Sequence, residues 1–317
     1  MRVGTKAYSG DGIDDRTITH DIASALQNIR LALISRDDAQ ANAMWRTPAI
    51  AGDYAIPMTG AVAANTLQAF LANGSTQDIQ VGTSARVNLA TGTYQLLTLL
   101  IDASMVASGT YDGTGSDILP TKAITGLGFR PDFICIKNAS EADGAVATTS
   151  TMGAGQSIDF DGSATLTDGI LSIDVDGFTV GRIHSVNGEG KVYHWFALKF
   201  VAGNFSGFSY TGNGSDNRDV AHGFGSKPKA IWIMPIQTSL PCWRPDTIVG
   251  DLTLFFSATA PSSNRIQSFD ATNVNLGTGA SVNTSGRAYH GIAFGDVTDG
   301  GRRMILTPFS GISCPVR

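Results

Sequence analysis

The sequence predicts an all-β fold made of three tandem β-sandwich domains, jelly-roll-like in type, with little helix. Three observations predict it: few residues that favour exposed helices, many that favour turns, and a pattern that recurs about every hundred residues. Of the 27 acidic residues only two are Glu, and of the 22 basic residues only seven are Lys, whereas Gly occurs 37 times. Because Glu and Lys are the usual residues of exposed helix faces and Gly favours turns, this composition argues against a helical bundle or a Rossmann-type enzyme.

Two sequence patterns recur three times along the chain. The first is Gly-x5-Asn-x5-Tyr with Val before the Asn, and it is centred on Asn88, Asn187 and Asn283. The second is Tyr-x-Gly-x-Gly, and it begins at Tyr8, Tyr111 and Tyr210. The steps are 99 and 96 residues for the first pattern and 103 and 99 for the second. Since two independent patterns share one period, the chain is a triplication.

The repeat sets the predicted domain boundaries. These are residues 1–104, 105–203 and 204–299, followed by a C-terminal tail, 300–317, that we expect to dock on a neighbouring protein. Units one and three agree further, because WRTPAIAGD in one matches WRPDTIVGD in the other, while unit two lacks the Trp-Arg pair. The junctions between units are short, which predicts a semi-rigid string of domains.

Local patterns predict the elements of each unit. Pro131 and Pro228 each precede an apolar run, as expected where a strand starts. The Asn-centred pattern predicts a hairpin that ends in the strand of its Tyr. Residues 22–34 have helical spacing, but the repeat aligns Ile29–Leu33 with the strand at Ile231, and this alignment favours a strand. Residues 61–72 are compatible with a short helix.

Charge and hydropathy exclude several classes of partner. The net charge is −5 and no basic run exceeds two residues, which argues against nucleic acid and anionic membrane surfaces. No apolar stretch approaches the roughly 20 residues of a membrane span, so no membrane insertion is expected. The first twelve residues lack the apolar core of a signal peptide, so we expect synthesis in the bacterial cytoplasm. The three Cys residues are too far apart for a disulfide framework.

The known catalytic motifs are missing from the sequence. It contains no GxSxG, GxxxxGK[ST] or HExxH, and its five His residues are scattered. We therefore predict a non-enzymatic protein without a cofactor, with a catalytic group assembled only in space as the alternative.

One acidic segment gives weak candidates for metal ligands. Alternating carboxylates in DxDG patterns can present oxygens to Ca²⁺, and the candidates here are Asp159, Asp161, Asp174 and Asp176. The twelfth position counted from Asp159, where an EF-hand needs an acid, holds Ile170. The alternative is that both DxDG patterns form hairpin turns, and we favour it, so no metal is predicted.

The candidate ligand-binding residues are Trp45, Arg46, Trp243 and Arg244. They lie in stretches that contain Pro, and Trp with Arg is a combination enriched at interfaces. A sugar ring stacked on Trp is the functional interpretation, and a Trp packed under a loop is the structural one. For the three repeated Asn residues the structural interpretation is favoured, because an Asn before a tight turn can bond its own backbone.

The repeated unit resembles a known family of modules. The Tyr-x-Gly-x-Gly opening, GFRPDFICIKN and DGFTVG…VNGEGKVYHWFALK are similar to a β-sandwich module of virion proteins from tailed phages and gene transfer agents. Such modules occur in spikes, tail fibres and decoration proteins. The resemblance is best over residues 126–199, and three tandem copies extend it over nearly the whole chain. It implies a fold and transfers no catalytic residue.

The resemblance implies a virion structural protein on the surface of a phage or phage-like particle that takes part in host attachment. The expected partners are other virion proteins and a host cell-surface polysaccharide, bound through repeated weak sites. Fibres and spikes are commonly symmetric, which implies a homo-oligomer, with a trimer as the first expectation. Two alternatives remain: a connector or baseplate component without a host ligand, and a polysaccharide-degrading spike enzyme.

Overall fold

The computed structural model describes residues 2–20, 22, 28–73, 76–100, 104–115 and 121–295. This part of the chain is nearly all β, with 47% of the described residues in strands and 1% in helix, and its sheets are antiparallel. The predicted all-β fold of several β-sandwich units is confirmed. The C-terminal tail of the sequence analysis lies outside the described residues.

The strands fall into three groups along the chain. Unit one contains β1 (Arg2–Ser9), β2 (Arg16–Ile18), β3 (Ile29–Arg36), β4 (Met44–Arg46), β5 (Tyr54–Pro57), β6 (Ala63–Ala64), β7 (Leu67–Asn73), β8 (Thr76–Val81) and β9 (Thr93–Leu100). Unit two contains β10 (Val106–Asp112), β11 (Lys122–Thr125), β12 (Phe133–Asn138), β13 (Val146–Thr149), β14 (Ile158–Asp159), β15 (Ile170–Asp174), β16 (Gly177–Val180), the one-turn helix α1 (His184–Asn187) and β17 (Val192–Leu198). Unit three contains β18 (Phe205–Thr211), β19 (Arg218–Ala221), β20 (Ala230–Pro235), β21 (Cys242–Pro245), β22 (Leu254–Phe255), β23 (Ile266–Phe269), β24 (Asn273–Leu276) and β25 (Ala288–Phe294).

All three units share one sheet topology. The larger sheet has the order β1-β9-β3-β4-β5 in unit one, with β6 added at its edge, β10-β17-β12-β13-β14 in unit two and β18-β25-β20-β21-β22 in unit three. The smaller sheet has the order β2-β8-β7, β11-β16-β15 and β19-β24-β23 in the same units. Three copies of the same strand order show the triplication in the fold as well as in the sequence.

Each unit buries its own core between its two sheets. In unit one this core includes Ile34 and Ala32 of the larger sheet and Ile79 of the smaller sheet. Units two and three have separate cores of the same kind, which contain Phe178 and Val274. Because side chains alternate across a strand, only every second residue of β3, β12 and β20 takes part in these cores.

The remaining face of each larger sheet packs against the other two units. We call the resulting cluster the central core; its aromatic members include Trp45, Phe133, Phe160, Phe196, Phe205, Trp232, Trp243, Phe256 and Phe294. Rings from different units meet there: Trp45 lies 5.0 Å from Phe196, and Phe133 lies 6.0 Å from Trp232. The predicted string of domains is therefore wrong. The strands β12 and β20 carry apolar side chains on both faces. The face that does not line the core of its own unit has to be buried against the other units.

Backbone hydrogen bonds also join the units. The N–H of Ala43 in unit one donates to the carbonyl of Phe256 in unit three over 2.9 Å, and the N–H of Ala145 in unit two donates to Met58 in unit one over 2.7 Å. The corresponding residue of unit three is Pro241, which has no N–H. One bond goes from unit one to unit three and the other from unit two to unit one. The bonds therefore follow one direction around a pseudo-threefold arrangement of the three units.

Two local predictions have different outcomes. Residues Ile29–Arg36 form strand β3, which confirms the prediction based on the repeat over the one based on helical spacing. The short helix considered for residues 61–72 is wrong, because this stretch contains β6 and most of β7. Among the described residues no helix is long and apolar enough to cross a bilayer.

Candidate functional site

The repeated Tyr residues are part of the fold of each unit. The hydroxyl groups of Tyr8 and Tyr210 donate to the carbonyls of Val87 and Val282 over 2.6 and 2.7 Å. Each ring stacks on the Tyr at the end of the Asn pattern, with centroids 5.1 Å apart for Tyr8 and Tyr94. The same pair in unit two, Tyr111 and Tyr193, has centroids 5.0 Å apart. Burial raises the pKa of Tyr8 well above its usual value.

The repeated Asn residues are fully buried and hold the opening loop of their unit. Asn283 Oδ1 accepts from the backbone N–H of Asn213 over 2.9 Å and from Arg218 Nη1 over 3.0 Å, and Asn283 Nδ2 donates to the carbonyl of Ser215 over 2.7 Å. Asn88 makes the corresponding bonds with the Asp11 N–H and Arg16, 3.1 and 3.0 Å long. These contacts support the structural interpretation of the Asn pattern.

The Trp residues of the two Trp-Arg pairs belong to the central core. Trp45 and Trp243 have no exposed surface, so neither ring presents a face on which a sugar can stack. Trp243 Nε1 donates to Ser35 Oγ of unit one over 3.0 Å. This burial contradicts ligand binding by Trp45 and Trp243, and their role is to pack one unit against another.

The Arg residues of the same pairs tie down the loop that follows their strand. Arg46 donates to the carbonyls of Tyr54, Leu67 (3.2 Å) and Gly52 (2.9 Å). Arg244 donates to the carbonyls of Leu252, Gly250 and Ile248, the last over 3.1 Å. Burial lowers the pKa of both guanidinium groups. These hydrogen bonds support a structural role for Arg46 and Arg244, and Arg46 also lines the cleft of unit one that is described below.

Unit two has Thr148 where the other units have Arg46 and Arg244. The strand register places Ala147 opposite Cys135, as Trp45 lies opposite Leu33 and Trp243 opposite Trp232, so the next residue in each unit is equivalent. Thr148 Oγ1 donates to the carbonyl of Gln156 over 2.7 Å. A threonine is too short to reach the other loop carbonyls that the arginines bind in units one and three.

A cleft of about 260 Å³ lies at this place in unit two. We call it the unit-two cleft; its lining includes Arg130, Thr148–Gly155 without Thr151, and Ile170–Ile173. Residues 153–155 belong to this lining, and they are equivalent to the loop segment that the guanidinium groups hold in the other units. Thr148 therefore changes the lining of the cleft, because it leaves this loop without the guanidinium donors that units one and three provide.

The lining of the unit-two cleft combines one cation with hydroxyl groups and an apolar part. Arg130 is the charged residue among the lining residues, and Met152, Ile170 and Ile173 are apolar. Thr149 is 1% exposed, and its hydroxyl has no hydrogen-bond partner in the described part of the chain. A buried polar group without a partner carries a desolvation cost that a bound ligand can relieve.

Unit one has a cleft at the corresponding position, with a volume of about 340 Å³. Arg30, Arg46, Phe70 and Gln77 are among the residues that line it, so a cleft forms here although the arginine is present. The hydroxyl of Thr47, the residue equivalent to Thr149, is likewise buried and without a partner among the described residues. The same kind of cleft therefore occurs in units one and two.

The four candidate metal ligands lie in turns and hairpins. Asp159 and Asp161 accept from the N–H groups of Asp161 and Ser163, and Asp176 accepts from Gly126 and Gly128. Asp174 accepts from the hydroxyls of Ser172 and Thr179, both over 2.8 Å. Over the described ranges no three His, Cys, Asp or Glu side chains come together as a metal site. These contacts fit the turn interpretation.

The sequence analysis missed a buried lysine in unit two. Lys137 has no exposed surface, and its Nζ donates to the carbonyls of Asn138 and Glu141 over 2.5 and 2.8 Å. Burial lowers its pKa to about 8, and burial raises the pKa of nearby Asp159 to about 6. The signal in the sequence is a Lys inside the apolar run of β12, where the register places Ser35 and Met234 in the other units.

The fold and its clefts define a class of protein: a triplicated β-sandwich whose units close around a shared core. Within that class the chain belongs to a family described as a domain of unknown function (DUF7483), whose model matches residues 103–298, more than half of the chain. The match spans units two and three. No curated protein matches the chain.

Proposed function

We propose that the protein is a non-enzymatic structural component of the surface of a phage or phage-like particle, where it takes part in attachment to the host. Its partners are other virion proteins and a polysaccharide of the host surface. No cofactor and no nucleic acid enter this proposal. The resemblance of the repeated unit to virion β-sandwich modules supports it.

One observation carries the proposal furthest: three turn-rich units close around a central core that no single unit can cover alone. This organisation gives a compact body with short polar loops and few exposed apolar side chains. Such a body suits a particle surface, where a protein has to withstand proteases and dilution without unfolding. The pseudo-threefold arrangement also matches the symmetry expected of spikes and fibres, and we expect a homo-oligomer, first a trimer.

The experiment that tests the location is immunogold electron microscopy with an antibody against the purified chain, applied to particles released from the producing bacterium. We expect label on the particle surface, at a fixed position. Label confined to cell debris would overturn the proposal. Light scattering of the purified chain tests the oligomeric state separately.

The attachment role needs a second measurement, which is binding of the fluorescent chain to intact host cells. We expect saturable binding that soluble host polysaccharide competes away. A chain that sits on the particle but binds neither cells nor polysaccharide is a connector, and attachment is then wrong. Release of reducing ends from that polysaccharide would identify a degrading enzyme and contradict the non-enzymatic role.

A further inference from the structure

We propose that the unit-two cleft binds one acidic sugar residue, a saccharide unit that carries a carboxylate, with Arg130 as the partner of the carboxylate. The inference rests on the proposed attachment function and names the substrate class that the attachment would use. At this cleft unit two has Thr148 where its sister units have an arginine.

First, unit two lacks a guanidinium group that both of its sister units have. Arg46 donates to three carbonyls of the loop, β5 and β7 in unit one, and Arg244 donates to three carbonyls of the loop in unit three. The repeat equivalence places the carbonyls that Arg46 binds at Ala154, Gln156 and Ile170 of unit two, and Thr148 Oγ1 donates to that of Gln156. Ala154 and Ile170 line the cleft. A ligand with hydroxyl donors can take the place of the missing guanidinium.

The second step is the polar lining. Hydroxyl groups come from Thr149, Ser150 and Ser172, and the Thr149 hydroxyl is buried without a partner among the described residues. Sugar hydroxyls both donate and accept, so they suit a lining that mixes carbonyls with hydroxyls. A ligand that only accepts or only donates would leave part of this lining unsatisfied.

The third step is the charge. Arg130 is exposed at the cleft, and no carboxylate is among the lining residues. A guanidinium group pairs with a carboxylate in bidentate geometry, which adds specificity as well as affinity. The cleft therefore favours an acidic sugar over its neutral counterpart, although the whole protein carries a net charge of −5.

The fourth step is size and shape. A volume of about 260 Å³ lies just below the range of roughly 300–1,000 Å³ typical of sites for drug-sized ligands. It suits one sugar residue of a longer polymer. Met152, Ile170 and Ile173 supply an apolar area for the C–H face of the ring. Affinity for a single residue will be weak, and repetition on a particle would raise it through avidity.

The test uses the purified full chain and matched pairs of methyl glycosides: those of glucuronic, galacturonic and mannuronic acids beside those of glucose, galactose and mannose. Saturation-transfer NMR and titration measure the dissociation constants. We expect at least one acidic glycoside to bind at least about tenfold more tightly than its neutral partner, the scale of one charge-assisted hydrogen bond. Binding of no acidic glycoside, or equal binding of the neutral ones, would overturn the inference.

Variants locate the site. Arg130→Gln is expected to weaken binding at least about tenfold and to remove the preference for the acidic sugar. Its matched control is Lys227→Gln, the equivalent cation of unit three, which lies 5.9 Å from the ring of Phe269. That control is expected to leave binding unchanged. Equal effects of both substitutions would show that the charge acts through the whole surface and not through the cleft.

A second pair of variants tests the cleft without removing the arginine. Thr148→Arg restores the residue of the sister units, whose guanidinium group binds the loop carbonyls in place of a ligand, and is expected to weaken binding severalfold, with unfolding by urea as the control for folding. Thr149→Val removes the buried hydroxyl at nearly constant volume and is expected to weaken binding severalfold. Unchanged binding in Thr148→Arg would contradict the cleft as the site.

The outcome is separable from that of the proposed function. If the chain binds host cells and Arg130→Gln binds them equally well, attachment stands and the assignment of the cleft is wrong. If the cleft prefers acidic glycosides but the chain is not on particles, the cleft stands and the proposed function is wrong.

Discussion

Unit two differs from units one and three at the centre of the molecule, although all three share one topology. At equivalent positions unit two has Ala147 where the others have Trp45 and Trp243. It supplies aromatic side chains elsewhere instead, because Phe196 is equivalent to Leu97 and Ile292. The side chains that the three units contribute to the central core are therefore complementary in volume and not identical.

This comparison shows which parts of a repeat are fixed by its fold. The Tyr pair and the buried Asn satisfy backbone groups of their own unit, and each unit needs them. The side chains that face the central core have to fill one shared space, so a change in one unit is compensated in another. Position 148 is free to differ, and there the difference changes the residues that line a cleft.

The largest effect is expected for Trp243→Ala, which gives unit three the residue that unit two has. The substitution leaves a cavity in the central core and removes the hydrogen bond to Ser35, so it should cost about 3–5 kcal/mol. Urea unfolding measures the loss, and Val249→Ala at a site that is 93% exposed is the control. We expect one cooperative transition that shifts as a whole. A separate transition for unit three alone would contradict a shared core.

The next effect is a loss of stability in acid, which arises where the units meet. Thr247 Oγ1 donates to Gln95 between units three and one, and Thr151 Oγ1 bonds His290 Nδ1 over 2.8 Å between units two and three. The residue equivalent to Gln95 and His290 in unit two is His194. Burial lowers the pKa of both histidines to about 4. The unfolded chain binds protons more readily, so stability is full above about pH 6.5 and falls towards pH 4.

The magnitude of this acid effect is up to about 3 kcal/mol for each histidine, on the scale of 1.36 kcal/mol for each pKa unit. The raised pKa of Asp159 acts in the opposite direction below pH 6 and reduces the net loss. Urea unfolding at pH 7.5 and 4.5 measures the difference. The double variant His194→Gln and His290→Gln gives units two and three the Gln that unit one has at this position. Its unfolding free energy should lose most of the pH dependence. An unchanged pH dependence would show that other groups cause it.

A smaller effect is expected for Asn88→Ala and Asn283→Ala, which test whether the opening loop is held equally in units one and three. Each substitution removes the hydrogen bonds by which a buried amide side chain holds the opening loop and should cost about 1–3 kcal/mol. The two losses should agree within about 1 kcal/mol, because the two sets of contacts match. Urea unfolding measures both. A loss in only one unit would show that the shared pattern has different roles in the two places.

The sequence was sufficient for the fold of each unit, because that fold depends on local and repeated signals. The two patterns and the Pro residues before β12 and β20 predicted three sandwiches, and the repeat corrected the helical spacing around Ile29. The same signals failed for residues 61–72, where the spacing of apolar residues was compatible with a helix and β7 formed instead. Pairing with β8 outweighs local propensity there.

The central core and the cleft could not be predicted from the sequence, for a physical reason. A strand with two apolar faces shows that both are buried but not what covers the second one, so Trp243 was open to a binding interpretation. The lining of the unit-two cleft depends on the arginine that is missing at Thr148, and a missing side chain gives no motif. Only the alignment of the three repeats in space shows that an arginine would otherwise lie there.

The smallest effect is expected at the junction between units two and three. The Ala43 and Ala145 N–H groups bond across their junctions, whereas the equivalent Pro241 cannot. In Pro241→Ala a new N–H can donate to Phe160, which is worth about 0.5–1.5 kcal/mol. Loss of the proline ring costs about 0.4–1 kcal/mol through the unfolded state, so the net change in unfolding free energy should be under about 1 kcal/mol. Because this change is small, hydrogen exchange is the more sensitive measurement. The new amide at position 241 should be protected as strongly as that of Ala145. Rapid exchange of this amide would show that the third junction is built differently from the other two.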